Sequence, residues 1–279
     1  MILTPEWWPH NVESWIEVAD NFSTQEIFDS SNWKQLPQGQ SNHNYKLSLP
    51  HGSFFVQSVN SRNVQLLPNP EQRVSQLELS RFTKIKPWLV DCRVDNVHLK
   101  ISKWFDSVDN TYLNFDDHRV IVHLANFLIS LHSIDESLVK KSDVPTLDIK
   151  SHFICYYEKA VLLHPNKKDD FEVILKSAMK LSVEFNANKL CHNDLSPSNL
   201  LWNESEEKLK VIDWEYACLS DPYGDLASLL VNCQLNSEQQ TDLLDLYSAG
   251  LSFNLSMPKL ENMILLCQHL NDFWIALQD

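Results

Sequence analysis

The most restrictive feature of this sequence is a pair of short apolar segments, joined by a polar turn and flanked by acidic residues. Residues 190–217 read LCHNDLSPSNLLWNESEEKLKVIDWEYA, in which Asp194 and Asn199 precede the first apolar segment and Asp213 follows the second. A β-hairpin over the two segments would bring these three side chains to one place. One carboxylate there could accept a hydroxyl proton while the amide and the second carboxylate hold Mg²⁺, which indicates phosphoryl transfer.

The composition limits the class of protein. The chain has 279 residues, 43% of them hydrophobic, which is enough for two lobes with ordinary cores. Its formal net charge of -14 argues against nucleic acid as a partner, because a nucleic-acid binder needs a basic face. The acidity suits a cationic or neutral small substrate, although solubility alone also explains it.

Neither a membrane nor an oxidising compartment is indicated. The six cysteines contain no Cys-x-x-Cys pair, so we expect no zinc or redox site and favour a reducing compartment. The N-terminus has no signal-peptide pattern, and no run approaches the ~20 apolar residues that span a bilayer. We therefore expect a cytoplasmic protein without a membrane partner. The sequence leaves its oligomeric state open.

The first hundred residues read mainly as strands that follow a helical extension. Short helices are predicted over 5–33, then a hairpin with strands at 45–49 and 54–59 around the turn 50–53, a helix over 69–85 and a strand-rich stretch over 94–105. The polar segment before the hairpin contains Gly39 and could fold over phosphates, with a plain surface loop as the alternative.

The rest of the chain reads as helices apart from the hairpin. Apolar spacing and capping residues predict helices over 117–134, 148–163, 171–185, 225–235, 237–248 and 260–277, with Gly250 ending the fifth. We therefore expect an α+β protein in two parts. A small β-rich N-terminal lobe covers 1–105 and a larger helical C-terminal lobe covers 106–279.

Three motifs, taken in order, resemble the aminoglycoside phosphotransferase and choline kinase superfamily. They are His192-x-Asp194-x-x-x-x-Asn199, Val211-Ile212-Asp213-Trp214-Glu215-Tyr216-Ala217 and Asp221-Pro222-x-Gly224-Asp225-Leu226-Ala227. The second is most similar to the choline, ethanolamine and bacterial thiamine kinase branch. The resemblance extends from about Leu36 to the C-terminus and implies a bilobal protein-kinase-like fold. It also implies a small-molecule kinase that uses ATP and Mg²⁺.

The resemblance implies a role for each motif residue. Asp194 would accept the proton of the substrate hydroxyl or orient it, while Asn199 and Asp213 would hold Mg²⁺. His192 and Asp225 would support the loop through hydrogen bonds. The nucleotide would lie between the lobes and contact the following residues of the first: Gly39, Ser41, Asn42, Asn44, Gln57, Ser102 and Trp104.

The first lobe departs from the pattern of such kinases. They place a Lys or Arg on the third strand to bind phosphates, paired with a Glu on the inserted helix, but here the strand position falls on Gln57. The helix position falls on Gln76 or Glu78. Three explanations compete: Arg62 or Arg73 reaches the phosphates instead, the enzyme binds ATP weakly or uses another nucleotide, or the protein is a pseudokinase that binds ligand without catalysis.

The acceptor would bind near Asp194. A choline-like or thiamine-like alcohol is a cation, which aromatic faces and carboxylates hold. The candidates for this contact are Trp214, Glu215, Tyr216, Phe273 and Trp274, with Glu215 also a candidate for a second Mg²⁺. An aminoglycoside acceptor suits the same acidic site. A protein kinase is disfavoured, because no Ala-Pro-Glu motif follows Asp213 and little room remains for an activation loop.

Overall fold

The computed structural model describes residues 30–36, 42–50, 52–59, 79–83, 90–94, 97–106, 113–252 and 254–278. The chain divides into two compact units. Met1–Leu67 and Lys84–Asp106 form the first, and Pro68–Thr83 and Ser107–Asp279 form the second. The first unit is rich in strands and the second is mainly helical.

The strand-rich unit contains a five-stranded antiparallel sheet. Its strands lie in the order β1-β2-β3-β5-β4, with β1 Trp33–Gln35, β2 Asn42–Leu49, β3 Gly52–Val59, β4 Val90–Val94 and β5 Val97–Lys103. The predicted hairpin is confirmed as β2 and β3, which pair from Asn42 opposite Val59 to Leu49 opposite Gly52. Gly52 has a φ of 149°, a conformation that favours glycine and lets the turn close.

Several predictions for the first hundred residues need correction. Residue 33 was expected to end a helix, but Trp33 begins β1 and only Ser30–Asn32 forms a short 3₁₀ turn. The helix predicted over 69–85 does not reach its predicted end. Residues 80–82 form a turn, in which the amides of Phe82 and Thr83 donate to the carbonyl of Leu79. The predicted strand-rich stretch, 94–105, overlaps β4 at Val94 alone. Residues 5–29 and 69–78 lie outside the described part.

The helical unit contains seven labelled helices and four short strands within its described residues. The helices are α1 His118–His132, α2 Glu136–Val139, α3 Ile149–Leu163, α4 Lys168–Leu181, α5 Pro222–Asn232, α6 Ser237–Leu251 and α7 Met257–Gln278. The strands are β6 Lys189–Cys191, β7 Leu200–Asn203, β8 Lys208–Val211 and β9 Cys218–Ser220. All six predicted helices are confirmed, while α2, β6 and β9 were missed.

Helix α5 begins three residues before its predicted start. Asp221 caps it by accepting a hydrogen bond from the amide of Tyr223, and Pro222 supplies a fixed φ at the first helical position. Lys259 of α7 lies 2.6 Å from the fully buried Asp221 carboxylate. The charge of the cap is therefore compensated inside the core.

Gly250 does not end helix α6 as predicted. The helix continues to Leu251, and Ser252 takes the left-handed conformation that terminates it. A Cβ atom at Gly250 would lie 2.3 Å from Cδ1 of Ile129. The glycine therefore allows α6 to approach α1 closely.

The core of the helical unit surrounds β6. This strand contacts both α1 and α5, where Leu124, Leu190 and Leu226 are fully buried. Phe273 of α7 is also fully buried and packs against the rings of Phe153 and Phe171. In the described parts of the chain, no helix combines the length and apolar character needed to cross a bilayer.

Candidate active site

The hairpin β7–β8 positions two of the three predicted site residues. The strands pair with Leu200 opposite Val211, and beyond this pair the amide of Ile212 donates to the carbonyl of Asn199 over 2.9 Å. Asn199 precedes β7 directly and Asp213 follows Ile212. The predicted hairpin is thus confirmed, and its open end brings Asn199 and the start of the Asp213 loop together.

Asn199 and Asp194 are linked side chain to side chain. Nδ2 of Asn199 donates to Oδ2 of Asp194 and to the main-chain carbonyl of Asp194, both over 2.9 Å. Since the nitrogen of the amide makes both contacts, its Oδ1 points away from Asp194. Asn199 is buried, so this oxygen is held in one orientation.

Asp213 adopts an unusual backbone conformation. Its φ is 62°, in the left-handed region that few residues other than glycine enter, although Asp tolerates it better than most. The residues around it are anchored, because Nε1 of Trp214 donates to the carbonyl of Val211 over 3.0 Å. The Trp214 ring is buried against His192 and Phe127, so it is not exposed to an acceptor as had been considered.

His192 connects the two loops of the site. Its ring is fully buried, with Nε2 2.9 Å from the carbonyl of Ile212 and Nδ1 3.3 Å from the amide of Asp194. The carbonyl can only accept and the amide can only donate, so the proton sits on Nε2. Burial lowers the pKa of His192, which favours this neutral form.

Asp225 anchors the loop that carries Asp194. Its fully buried carboxylate accepts hydrogen bonds from the amides of His192 (2.9 Å) and Asn193 (2.7 Å) and lies 3.2 Å from Nε2 of His132. Burial alone would raise the pKa of Asp225, but the hydrogen bond and charge of His132, together with His192, hold it below its usual value. The group therefore stays a carboxylate inside the core.

The sequence did not identify His132 or its hydrogen-bond partner Tyr247 as part of the site. Nδ1 of His132 lies 2.6 Å from the hydroxyl of the buried Tyr247. His132, Cys191 and Asp225 also place ligand-type atoms within 4.8 Å of one another. Burial raises the pKa of the Cys191 thiol well above its usual value, and its Sγ donates to the carbonyl of Lys189 over 3.5 Å.

Asn193 also supports the site, although the motifs assigned no role to it. Its φ is 62°, and its Nδ2 donates to the carbonyl of Tyr216 over 3.0 Å and lies 3.2 Å from Sγ of Cys218. Asn193 thereby joins the Asp194 loop to the segment that follows Asp213. The residue type was the one indication in the sequence, because Asn adopts a positive φ more readily than most residues.

The electrostatics of Asp194 match a proton acceptor. Burial raises its pKa to about 6, the charges of Glu215 and Asp225 add to the rise, and the hydrogen bond from Asn199 opposes it. The charge of Asp194 also acts on Tyr156 of α3. Burial is the main cause of the raised pKa of Tyr156, and the charges of Cys155 and Asp194 add to it. Tyr156 is therefore a buried aromatic residue near Asp194 that the sequence did not single out.

The donor set fits a hard divalent cation. Asn199 presents an amide oxygen, Asp213 a carboxylate, and the negative charges of Asp194 and Glu215 concentrate nearby. Oxygen ligands of this kind suit Mg²⁺. A bound cation would also offset the mutual repulsion of these carboxylates.

The predicted acceptor residues differ in their burial. Glu215 and Tyr216 are half-buried and follow Asp213 directly, and Glu215 is close enough to raise the pKa of Asp194. Trp274 is half-buried on α7. Phe273 beside it belongs to the core.

The predicted nucleotide-binding residues that can be described lie on the sheet. Asn44 lies opposite Gln57, and Nε2 of Gln57 donates to Oδ1 of Asn44 over 3.4 Å. Ser102 is on β5, and the amide of Trp104 donates to the carbonyl of Ser53 over 2.9 Å. Asn42 begins β2. Six residues named above lie outside the described ranges: Gly39, Ser41, Arg62, Arg73, Gln76 and Glu78.

Comparison with known sequences groups this chain with phosphotransferases. The model of the phosphotransferase enzyme family matches residues 32–260. A protein LicA homolog from Mycoplasma capricolum subsp. capricolum is 26% identical over 197 residues, which covers 61% of this chain and 80% of that protein. The family match spans both units of the fold.

Solved structures confirm the fold. The choline kinase LicA from Streptococcus pneumoniae superposes with a TM-score of 0.66 at 19% identity, covering 88% of this chain and 84% of that one. An aminoglycoside-3'-phosphotransferase of type VIII gives 0.64 at 15% identity, covering 93% and 99%. The predicted α+β, protein-kinase-like fold is therefore confirmed, as is the resemblance to this superfamily.

Proposed function

We propose that this chain, which belongs to the phosphotransferase enzyme family, transfers the γ-phosphoryl group of ATP to the hydroxyl of a small alcohol. The observation that carries the proposal is the arrangement of Asp194, Asn199 and Asp213 at the open end of hairpin β7–β8. Phosphoryl transfer needs little covalent chemistry from the protein, so catalysis depends on positioning and on stabilising charge. A rigid, hydrogen-bonded acidic site suits both needs.

In this proposal Asp194 orients the acceptor hydroxyl and takes its proton. A pKa of about 6 leaves the carboxylate ionised at neutral pH and keeps it more basic than an ordinary Asp. Its Oδ2 is held by Asn199, which fixes the carboxylate plane. The anchoring of the loop amides by Asp225, and the bridge that His192 makes to Ile212, keep this geometry in place.

Asn199 and Asp213 would hold Mg²⁺ in the same proposal. Their oxygens would bind the ion, which would supply positive charge to offset that of the nucleotide phosphates. The two residues suit this task because the bond from Ile212 to the Asn199 carbonyl joins the loops that carry them. The buried Asn199 side chain presents its oxygen without rearrangement.

The acceptor we favour is a cationic alcohol of the choline and ethanolamine type, with thiamine as a larger alternative. Asp194 and Glu215 supply negative charge to the site, and the half-buried Tyr216 supplies an aromatic side chain. Carboxylates and aromatic faces together recognise organic cations. The choline kinase with the same fold supports this choice over a neutral alcohol.

The test is Mg²⁺-dependent consumption of ATP with a panel of choline, ethanolamine, thiamine, homoserine and aminoglycosides. Asp194→Asn should lower kcat by about 10²–10⁴-fold with the acceptor that works best, since it removes the proton acceptor and keeps the shape. Asp169→Asn, at an exposed position of α4, is the matched control and should keep full activity. Full activity in Asp194→Asn would refute the assigned base, and ATP binding without turnover on any acceptor would favour a pseudokinase.

A further inference from the structure

The two faces of the five-stranded sheet differ in polarity. Residues directly opposite each other on neighbouring antiparallel strands project to the same face. Leu47 lies opposite Phe54, and Val56 lies opposite Ile101, and all four are buried. One face of the sheet is therefore an apolar core surface, and residues one position along each strand project to the other face.

A polar row crosses that other face at Gln57. Asn44 of β2 lies on one side of Gln57 and Lys100 of β5 lies on the other, each directly opposite it. The row continues to β4, where Asp91 lies directly opposite Lys100. Gln57 is buried and Lys100 is half-buried. Nε2 of Gln57 donates to Asn44, so the amide nitrogen is directed toward β2, away from the lysine. Lys100 is thus the cross-strand neighbour of the position where a kinase of this fold carries its phosphate-binding cation.

We propose that Lys100 binds the nucleotide phosphates in place of the strand cation that Gln57 does not supply. The inference rests on the proposed function, because it presupposes that ATP binds this face of the sheet. Opposed side chains have Cβ atoms about 4.5–5.5 Å apart, and the flexible lysine stem carries its ammonium beyond that. The charge can therefore reach the region beside Gln57.

This placement also accounts for the neutral residue on β3. Two lysines directly opposite each other would repel, and like charges in such a pair destabilise a sheet. With Lys100 on β5, an amide at position 57 avoids the repulsion and bonds to Asn44 instead. The chain has a formal net charge of -14, so a local cation would offset the repulsion between the protein and a triphosphate.

Neighbouring lysines of the sheet are placed differently. Lys46 lies on the same face in the next row, and its Nζ is 4.4 Å from the centre of the Trp104 ring, where it stacks as a cation on the indole. Lys103 is on the same strand as Lys100 but lies opposite Phe54, so it projects to the other face, and it is exposed. Lys103 is therefore a charge-matched control for Lys100.

The experiment measures the affinity of MgATP and of adenosine by calorimetry for the full chain and three variants. Lys100→Gln should weaken MgATP binding by about 10–100-fold, the value of one charge-assisted contact, and leave adenosine binding unchanged. Lys103→Gln should leave both affinities unchanged. In the double variant Gln57→Lys with Lys100→Gln, which returns the cation to β3, MgATP binding should recover most of the loss.

The outcomes separate the two proposals. Suppose that the unmodified chain binds MgATP, and that Lys100→Gln loses no more affinity for it than Lys103→Gln does. The role of Lys100 is then overturned, while the proposed kinase stands. If Lys100→Gln loses adenosine and MgATP affinity alike, the lysine acts on the fold and not on phosphate, and the inference also fails. If the unmodified chain does not bind MgATP, the proposed function itself is refuted, and the inference with it.

Discussion

The side-chain amide of Asn193 donates a hydrogen bond to the main-chain carbonyl of Tyr216, over 3.0 Å, from a residue whose φ is 62°. This contact ties the loop of Asp194 to the segment that follows Asp213. It depends on two separate properties of the residue, an amide donor and tolerance of a left-handed backbone. The two can be separated by substitution.

We expect Asn193→Ala to be less stable than Asn193→Gly by about 1–2 kcal/mol. Both variants lose the bond to Tyr216, but only alanine has a Cβ that is strained at positive φ. Urea unfolding of the two variants measures the difference. Ser196, which is in an extended conformation with a φ of -124°, is the control, and there the glycine variant should be the less stable one. The same order at both positions would contradict the strain argument.

The raised pKa of Asp194 predicts a pH-dependent stability in the metal-free protein. Its pKa is about 6 in the folded state and 3.8 in the unfolded one, so folding favours the protonated form. The ionised carboxylate therefore costs stability above pH 6, and the cost disappears as the pH falls toward 4. Asp194→Asn should be more stable than the unmodified protein by about 1–3 kcal/mol at pH 8, with no gain at pH 4.

Unfolding by urea in the presence of EDTA, from pH 4 to 8, measures this difference. Glu215→Gln removes one of the charges that raise the Asp194 pKa, so in that background the gain should be smaller and should level off at a lower pH. If Asp194→Asn is instead less stable than the unmodified protein at pH 8, and this deficit disappears on acidification, the carboxylate pKa is lowered on folding and not raised.

Removal of the Tyr247 hydroxyl should destabilise the protein by about 1–3 kcal/mol. Tyr247→Phe leaves Nδ1 of the fully buried His132 without its 2.6 Å partner, which costs the desolvation of that nitrogen. In a His132→Leu background, the same substitution should cost much less, because both partners are then gone. Tyr157→Phe on α3 is the control for loss of a hydroxyl from a half-buried tyrosine. Equal costs in the two backgrounds would show that the bond contributes nothing.

Gly250→Ala should destabilise the protein by about 1–3 kcal/mol, although alanine is the better helix former. Its Cβ would meet three side-chain atoms of Ile129, at 2.3, 2.8 and 3.3 Å, and this overpacking outweighs the gain of about 1 kcal/mol in helix propensity. In an Ile129→Ala background, all three atoms are absent, and Gly250→Ala should become neutral or stabilising. Thermal unfolding of the four proteins measures the cycle; a destabilisation that persists without Ile129 would place its cause elsewhere.

Local sequence predicted the elements whose signals are contained within a few residues. Hairpin β7–β8 follows from two apolar segments and a polar turn, and helix α6 from its capping residues. The short strands β6 and β9 were missed, because three residues carry no readable periodicity and the strands pair across the whole hairpin that separates them. Gly250 was misread as a helix end, because its neighbour Ile129 belongs to another helix.

The sequence by itself determined the family, and it predicted the site residues Asp194, Asn199 and Asp213 from the spacing of the motifs along the chain. Only the tertiary structure showed which residues support them. His132 reaches Asp225, Asn193 reaches Tyr216, and Lys100 stands opposite Gln57 on a neighbouring strand. The physical reason is that each of these relationships joins residues distant in sequence, through strand register or helix packing, and no local pattern encodes such a pairing.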